Sequence, residues 1–227
     1  MSFIVIEGLD GSGKSTQVKK VCHYLSEHNI PFEYIHFPRL EDPFFGLLIA
    51  RFLRGEFGTL HSVDPYLVAM LYASDRWHAA ATINDWIMQG KLVLVDRYVY
   101  SNIAYQTSKI ADKEEKKKLR DWIFQLEYEQ FKIPKPDINI WLDAPLAFVE
   151  KKLSSNRESE DRRYLEQNQR DIHEVDIDFQ RAVYQEYAQF CTEYDDFRRL
   201  ICYDEQNQML SENTIFSMLI KYIQNYF

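Results

Sequence analysis

The sequence predicts an α/β protein, a three-layer sandwich built around a five-stranded parallel sheet. Three observations carry this expectation. Short apolar runs alternate with helical patterns along the chain, which implies right-handed β-α-β crossovers. Two of the runs, Leu92–Val95 and Ile138–Leu142, are near-continuous rather than alternating, as in strands covered on both faces. All seven glycines lie at or before Gly90, so tight-turn chemistry is concentrated in the first half.

Phe3–Glu7 reads as the first strand. Lys14–Glu27 reads as a helix with Val18, Val21, Cys22 and Leu25 on one face. Phe32–Phe37 is the second strand and Phe44–Leu53 the second helix. A long helix runs from Pro65, well placed in a first helical turn, to Gln89. Leu92–Val95 and Ile138–Leu142 are the central strands, with a charged helix over Asp112–Gln130 between them. Arg198–Tyr203 is the fifth strand, placing Cys202 in a buried strand, and Thr214–Tyr226 closes the chain as a helix. No internal repeat is visible. The expectation is one domain over residues 1–227 with an insertion at about 153–173, where LSSNRESEDRRYLEQNQRDIH is almost wholly polar. Two readings of that insertion stand side by side: a disordered surface loop, or a mobile lid carrying four arginines.

Composition narrows the partners. With 227 residues, 46% hydrophobic and 27% charged, the chain is an ordinary globular protein. A net charge of −8 argues against nucleic acid, which calls for a basic face. It leaves room for a small anionic ligand held by a few arginines. Residues 3–6 are too short an apolar run for a targeting segment, and Glu7 ends it. Nothing approaches the roughly 18 apolar residues of a membrane span. Cys22, Cys191 and Cys202 are odd in number and unclustered, which suggests neither a disulfide framework nor a zinc site. The expected compartment is the reducing cytoplasm.

The chemistry begins between the first strand and helix. Gly8-Leu9-Asp10-Gly11-Ser12-Gly13-Lys14-Ser15, with Thr16 next in the chain, fits G-x-x-x-x-G-K-[ST]. Glycines let successive backbone N–H groups curl around a phosphate, and the helix N-terminus adds partial positive charge. Lys14 supplies a full charge toward the β- and γ-phosphates, and the Ser15 hydroxyl is a magnesium ligand. A GTPase would also need N-K-x-D and D-x-x-G. The first is absent, and the second is impossible at the later catalytic strand without a glycine. The L-S-G-G-Q of transporter ATPases is missing as well. Instead, the next buried strand runs directly into Asp96-Arg97-Tyr98. Asp96 is placed as a second magnesium anchor, but a cation beside it weakens such a site. The pair makes sense when a second anion binds next to the first, which points to phosphoryl transfer between two nucleotides.

At this point the sequence resembles the thymidylate kinase (dTMP kinase) family of P-loop nucleoside-monophosphate kinases. The blocks FIVIEGLDGSGKSTQ and VDRYVYSNIAYQ, with Phe37-Pro38-Arg39 and Tyr72-Ala73-Ser74-Asp75-Arg76-Trp77 between them, carry the resemblance across nearly the whole chain. It implies ATP and Mg2+ as cosubstrate and cofactor, dTMP as acceptor, and a homodimer. It implies that Asp10 accepts from the sugar 3′-hydroxyl, and that Arg97 and Arg39 hold the acceptor phosphate. Tyr72 is expected to stack on the pyrimidine and Arg76 to bond a ring carbonyl, with Asn102 and Gln106 as candidates for the ring edge. Tyr105 is expected to crowd the 2′ position, and Phe37 with Pro38 to form pocket walls. The alternatives are core aromatics for Tyr72 and Tyr105, a surface cation for Arg76, a helix cap near Ser101 for Asn102, and the end of a strand for Phe37 and Pro38. Because Leu9, Asp10, Gly11 and Ser12 include no arginine, the resemblance puts the mobile arginines in the lid, with Arg157 and Arg162 favoured over Arg163 and Arg170.

Overall fold

Alternation along the strands explains the layers of the computed structural model, which describes residues 2–154, 165 and 171–226. In β1 (Phe3–Glu7), Phe3 and Val5 pack into one apolar core while Ile4 and Ile6 pack into another. β3 (Leu92–Asp96) and β4 (Ile138–Asp143) divide their side chains in the same way, and all three strands are buried along their full length. β2 (Phe32–His36) and β5 (Phe197–Ile201) form the half-exposed edges. The sheet order is β2-β3-β1-β4-β5, with every pairing parallel. The five-stranded parallel sheet expected from sequence is therefore present.

One face carries α1 (Lys14–Glu27) and α9 (Glu212–Ile223); the other carries α3 (Pro65–Met88), α4 (Val99–Thr107), α5 (Lys113–Phe124) and α8 (Ile177–Glu193). α2 (Phe45–Leu53) leans on α3, and α6 (Leu146–Ser154) and the single turn α7 (Ile172–Val175) flank the insertion. Asp64, Asp112, Asp176 and Ser211 cap α3, α5, α8 and α9 by accepting from first-turn amides.

Several boundaries differ from expectation. Helix α4 starts at Val99, not near Ser101, and every one of its residues is buried. Asn102 therefore sits inside the helix and caps nothing. The charged helix ends at Phe124 and continues as a π-helical turn, Gln125–Gln130. Cys202 is buried but lies one residue beyond β5. Leu153 and Ser154 belong to α6, while Ile172 and His173 belong to α7, so both ends of the expected insertion are helical. Arg157, Arg162, Arg163 and Arg170 lie outside the described residues.

The register of the central pair fixes where ligands can meet. Ile6 of β1 stands opposite Asp96 of β3, so the loop after one strand emerges beside the loop after the other. In open parallel sheets, ligands sit in the crevice beyond the carboxyl ends of the strands, where the winding reverses. The β1/β3 junction is such a crevice.

Candidate active site

A cleft of about 650 Å³ opens over that junction, lined from one end by Gly11–Gln17 and from the other by Tyr72, Arg76 and Asn102. At the first end, α1 alone among the long helices just described is capped by a residue without a side chain, Gly13, which adopts a left-handed φ of 92°. Its first-turn amides therefore keep their donors for a ligand. Gly8 is required for a second reason: a Cβ there would meet Ser12 Oγ at 2.9 Å and the Leu142 carbonyl at 3.1 Å. Ser12 Oγ is buried without a partner. Lys14 Nζ donates to the carbonyls of Gly8 at 3.1 Å and Leu9 at 2.9 Å. Burial, and then the neighbouring Arg97, push its ammonium down to about 8, against the opposing pull of Asp96, Asp10 and Glu7. Ser15 is exposed on the cleft wall beside Thr16.

Asp96 closes β3 with one oxygen 3.4 Å from His36 Nδ1 and the other buried with no partner. Burial raises its pKa, but His36, Lys14 and Arg97 together hold it below the usual carboxylate range. Arg97 takes a left-handed φ of 66°, which turns its side chain from the strand end across the cleft floor. Arg97 Nη2 donates to Asp10 Oδ1 at 2.6 Å, and the Tyr105 hydroxyl donates to Asp10 Oδ2 at 2.8 Å. Burial works against the Asp10 charge, yet Arg97, Lys14 and the Tyr105 hydroxyl keep its pKa well below the ordinary range. Asp10, Arg97 and Tyr105 thus meet as one cluster, with the guanidinium 5.2 Å from the Tyr105 ring centre.

That cluster is held from below by Glu7, which sequence reasoning treated only as the end of an apolar run. Its fully buried carboxylate accepts from the Tyr98 and Ser101 amides and from the hydroxyls of Ser101 and Tyr187. An acid in an otherwise apolar, doubly covered strand was the available signal, since such a group is retained only when partnered.

At the far end, Tyr72 and Arg76 lie one helical turn apart on α3 and both line the cleft. Arg76 is no surface cation. It is 2% exposed and forks through Nε (2.5 Å) and Nη2 (2.6 Å) onto Glu127. Asn102 and Gln106 project into the cleft lining from buried α4 positions, and Phe37 and Pro38 form part of its wall. Two groups were missed: His173, whose buried Nε2 has no partner, and Asp171, both lining the cleft beside the insertion.

Arg39 is the exception. Its neighbours Phe37, Pro38 and Leu40 line the cleft, but it does not. Its amide and Nε donate to Asp75 at 2.8 and 2.9 Å, and its Nη2 to the Asp75 carbonyl at 3.0 Å. Asp75, an acid one residue before Arg76, is thus the partner of Arg39 outside the cleft lining.

The Thymidylate kinase family model matches residues 6–196. Thymidylate kinase of Mycobacterium tuberculosis is 32% identical over 188 residues, 82% of this chain and 85% of that protein. Thymidylate kinase of Plasmodium falciparum is 27% identical over 191 residues, 84% of this chain and 78% of that one. Among solved structures, a thymidylate kinase from Candida albicans superposes with a TM-score of 0.73 at 24% identity, covering 99% of this chain and 92% of that one, a likeness in fold. With the phosphate loop, the Asp96–Arg97 corner and a family match along most of its length, the chain belongs to the thymidylate kinase family.

Proposed function

We propose that the chain transfers the γ-phosphoryl group of ATP to dTMP, giving ADP and dTDP. The observation that carries this reading is the pairing of two anion stations at the ends of adjacent strands. The Gly8–Thr16 loop lies after β1 and Arg97 after β3, and they share one cleft. Phosphoryl transfer needs little covalent work from a protein. It needs donor and acceptor aligned and the moving charge stabilised.

ATP phosphates take up the free amides of the α1 N-terminus, and Lys14 leaves the Gly8 and Leu9 carbonyls for the β- and γ-oxygens. The dTMP phosphate is already anionic, so it needs no strong base. Arg97 turns from Asp10 to that phosphate, which frees Asp10 to accept from the sugar hydroxyl. Tyr72 faces the pyrimidine, with Arg76, Asn102 and Gln106 along the ring edge and Tyr105 against the 2′ position. The unpartnered Asp96 oxygen and the exposed Ser15 hydroxyl fit a Mg2+ ion, which would neutralise charge on the β- and γ-phosphates. Arg39 joins the acceptor phosphate only by leaving Asp75. Arg157 and Arg162 are assigned to the ATP phosphates from family resemblance.

A second copy of the chain is the proposed partner. α3 buries Val68, Ala73 and Ile83 on one side yet exposes Leu67, Met70 and Trp77 on another, with Leu47 of α2 also exposed. A helix apolar on both sides calls for a second cover. Sedimentation velocity is expected to give twice the chain mass. We place the enzyme in the cytoplasm, where its three free cysteines stay reduced.

The deciding experiment is a panel of nucleoside monophosphates with Mg-ATP. Turnover of dTMP above all others is expected; turnover of UMP or CMP with none of dTMP rejects the reading.

A further inference from the structure

Glu127 is fully buried on the π-helical turn that extends α5, and no step of the chemistry above uses it. Its carboxylate gathers three N–H donors. Arg76 Nη2 (2.6 Å) and Asn102 Nδ2 (3.0 Å) share Oε1, and Arg76 Nε (2.5 Å) takes Oε2. The Asn102 amide nitrogen also donates to the Ala69 carbonyl at 3.0 Å. Its two neighbours there are both acceptors, so the reversed amide would set oxygen against oxygen, and one orientation is enforced. Asn102 Oδ1 is left buried with no partner. Arg76 spends Nε and Nη2 on the fork, which leaves Nη1 outside it. Both side chains line the cleft. Insertions that make a π turn are recurrent at functional sites, and this one brings a carboxylate between two cleft residues.

We infer that Glu127 is a positioning residue for base selection: it fixes one donor and one acceptor that suit a 4-oxo, N3–H pyrimidine edge and oppose a 4-amino one. A 4-carbonyl receives the Arg76 donor, and N3–H satisfies the orphaned Asn102 oxygen. Cytosine offers the inverse pattern, a 4-amino donor and an N3 acceptor, so both contacts become repulsive. Sites built around buried hydrogen-bonding groups discriminate strongly, because the wrong ligand leaves those groups unpaired. The inference rests on the reading that the Tyr72–Arg76 end holds the base.

The test is the ratio of kcat/KM for dTMP to that for dCMP, measured in wild type, Glu127→Gln, Asn102→Ala and the double variant. Each single change is expected to lower the ratio about 10- to 100-fold while leaving the KM for ATP unchanged. The double variant is expected to lose less than the two single losses added, since Glu127 acts on the base partly through Asn102. A folded Glu127→Gln enzyme with the wild-type ratio, or losses that simply add, would overturn the inference. Should Glu127→Gln not fold, Arg76→Met/Glu127→Gln, which removes both charges of the pair together, is compared with Arg76→Met, which keeps the Glu127 carboxylate on Asn102, and an identical ratio in that pair is the overturning result. Wild-type enzyme that fails to turn over dTMP would instead reject the function, a distinct outcome.

Discussion

The cleft contains two buried arginines, each paired with a carboxylate, and the two pairs are built in opposite ways. Arg97 and Asp10 sit on loops after β3 and β1, with 26% of the Asp10 side chain still exposed. Arg76 and Glu127 sit on α3 and its neighbouring π turn, 2% and 0% exposed. The first pair has solvent on one side and a third member, Tyr105, ready to keep Asp10 company when Arg97 turns away. The second is sealed, and opening it would strand a charge in the interior. A cleft that must admit a phosphate and read a base needs both arrangements: an ion pair that exchanges partners where charge moves, and one that never opens where shape is read.

The largest expected effect removes the cation of the phosphate loop beside the exchanging pair. Lys14→Met should lower kcat about 10³-fold, because Lys14 is the one cation that the Gly8–Thr16 stretch itself carries. Nζ is bonded to two loop carbonyls, so the fold should survive with a thermal midpoint shifted by no more than about 4 °C. Unchanged turnover would show that the loop does not hold the transferring phosphate.

The comparison is sharpened by making the same substitution at both arginines. Arg76→Met leaves the Glu127 carboxylate buried and unpaired, at a cost of about 3–5 kcal/mol in denaturant unfolding. Arg97→Met leaves Asp10 partly in solvent with its Tyr105 bond intact, so its stability cost is about 1 kcal/mol. Its kcat/KM for dTMP should fall about 10²-fold or more. If Arg97→Met proves the less stable of the two, the distinction between exchanging and sealed pairs is wrong.

The two ends were also unequally legible in the sequence. The exchanging end could be read, because its chemistry is local: the glycines, Lys14, Ser15 and the Asp96–Arg97 corner are each set by neighbours in the chain. The sheet was legible for the same reason, since apolar runs such as Leu92–Val95 state their own burial. The sealed end depends on contacts distant in sequence. Glu127 lies 51 residues from Arg76, in a π turn that extends a helical pattern with no break to announce it. Arg39 shows the same limit: its short motif says nothing of Asp75, 36 residues later, which takes both its amide and its guanidinium. Helix α4 begins earlier than expected because the corner is made by Arg97 in a left-handed conformation. Sequence favours glycine for that geometry, and Glu7 stabilises it here from an adjacent strand by accepting from the Tyr98 amide.

A smaller effect lies between the two ends. The Tyr105 hydroxyl holds Asp10, while its ring stands 5.1 Å from that of His173, so the sugar region is walled by aromatic groups. Tyr105→Ala removes the wall that would crowd a 2′-hydroxyl. The preference for dTMP over its ribonucleotide counterpart should fall about 10-fold. An unaltered ratio would count against Tyr105 as the group that reads the sugar.

The smallest effect concerns Lys109, a half-buried cation with no carboxylate within salt-bridge distance among the described residues. Lys109 Nζ donates to Gln106 Oε1 at 2.7 Å and stands 4.9 Å from the Phe52 ring centre. Burial pushes its pKa down to about 7. In the unfolded chain the same group titrates near the ordinary lysine value of about 10.4. Between those values the unfolded state binds the extra proton, so this group makes stability rise with pH across that window. Below the lower value both states are charged, and the gain is lost. Lys109→Met removes the dependence, and the stability of wild type relative to the variant should climb by about 1–2 kcal/mol from pH 6.5 to 9.5, after allowance for partial solvent screening. Chemical denaturation across that range measures it. A flat difference would mean that the Gln106 carbonyl and the Phe52 ring suffice to keep the ammonium charged, so that a half-buried cation here needs no carboxylate.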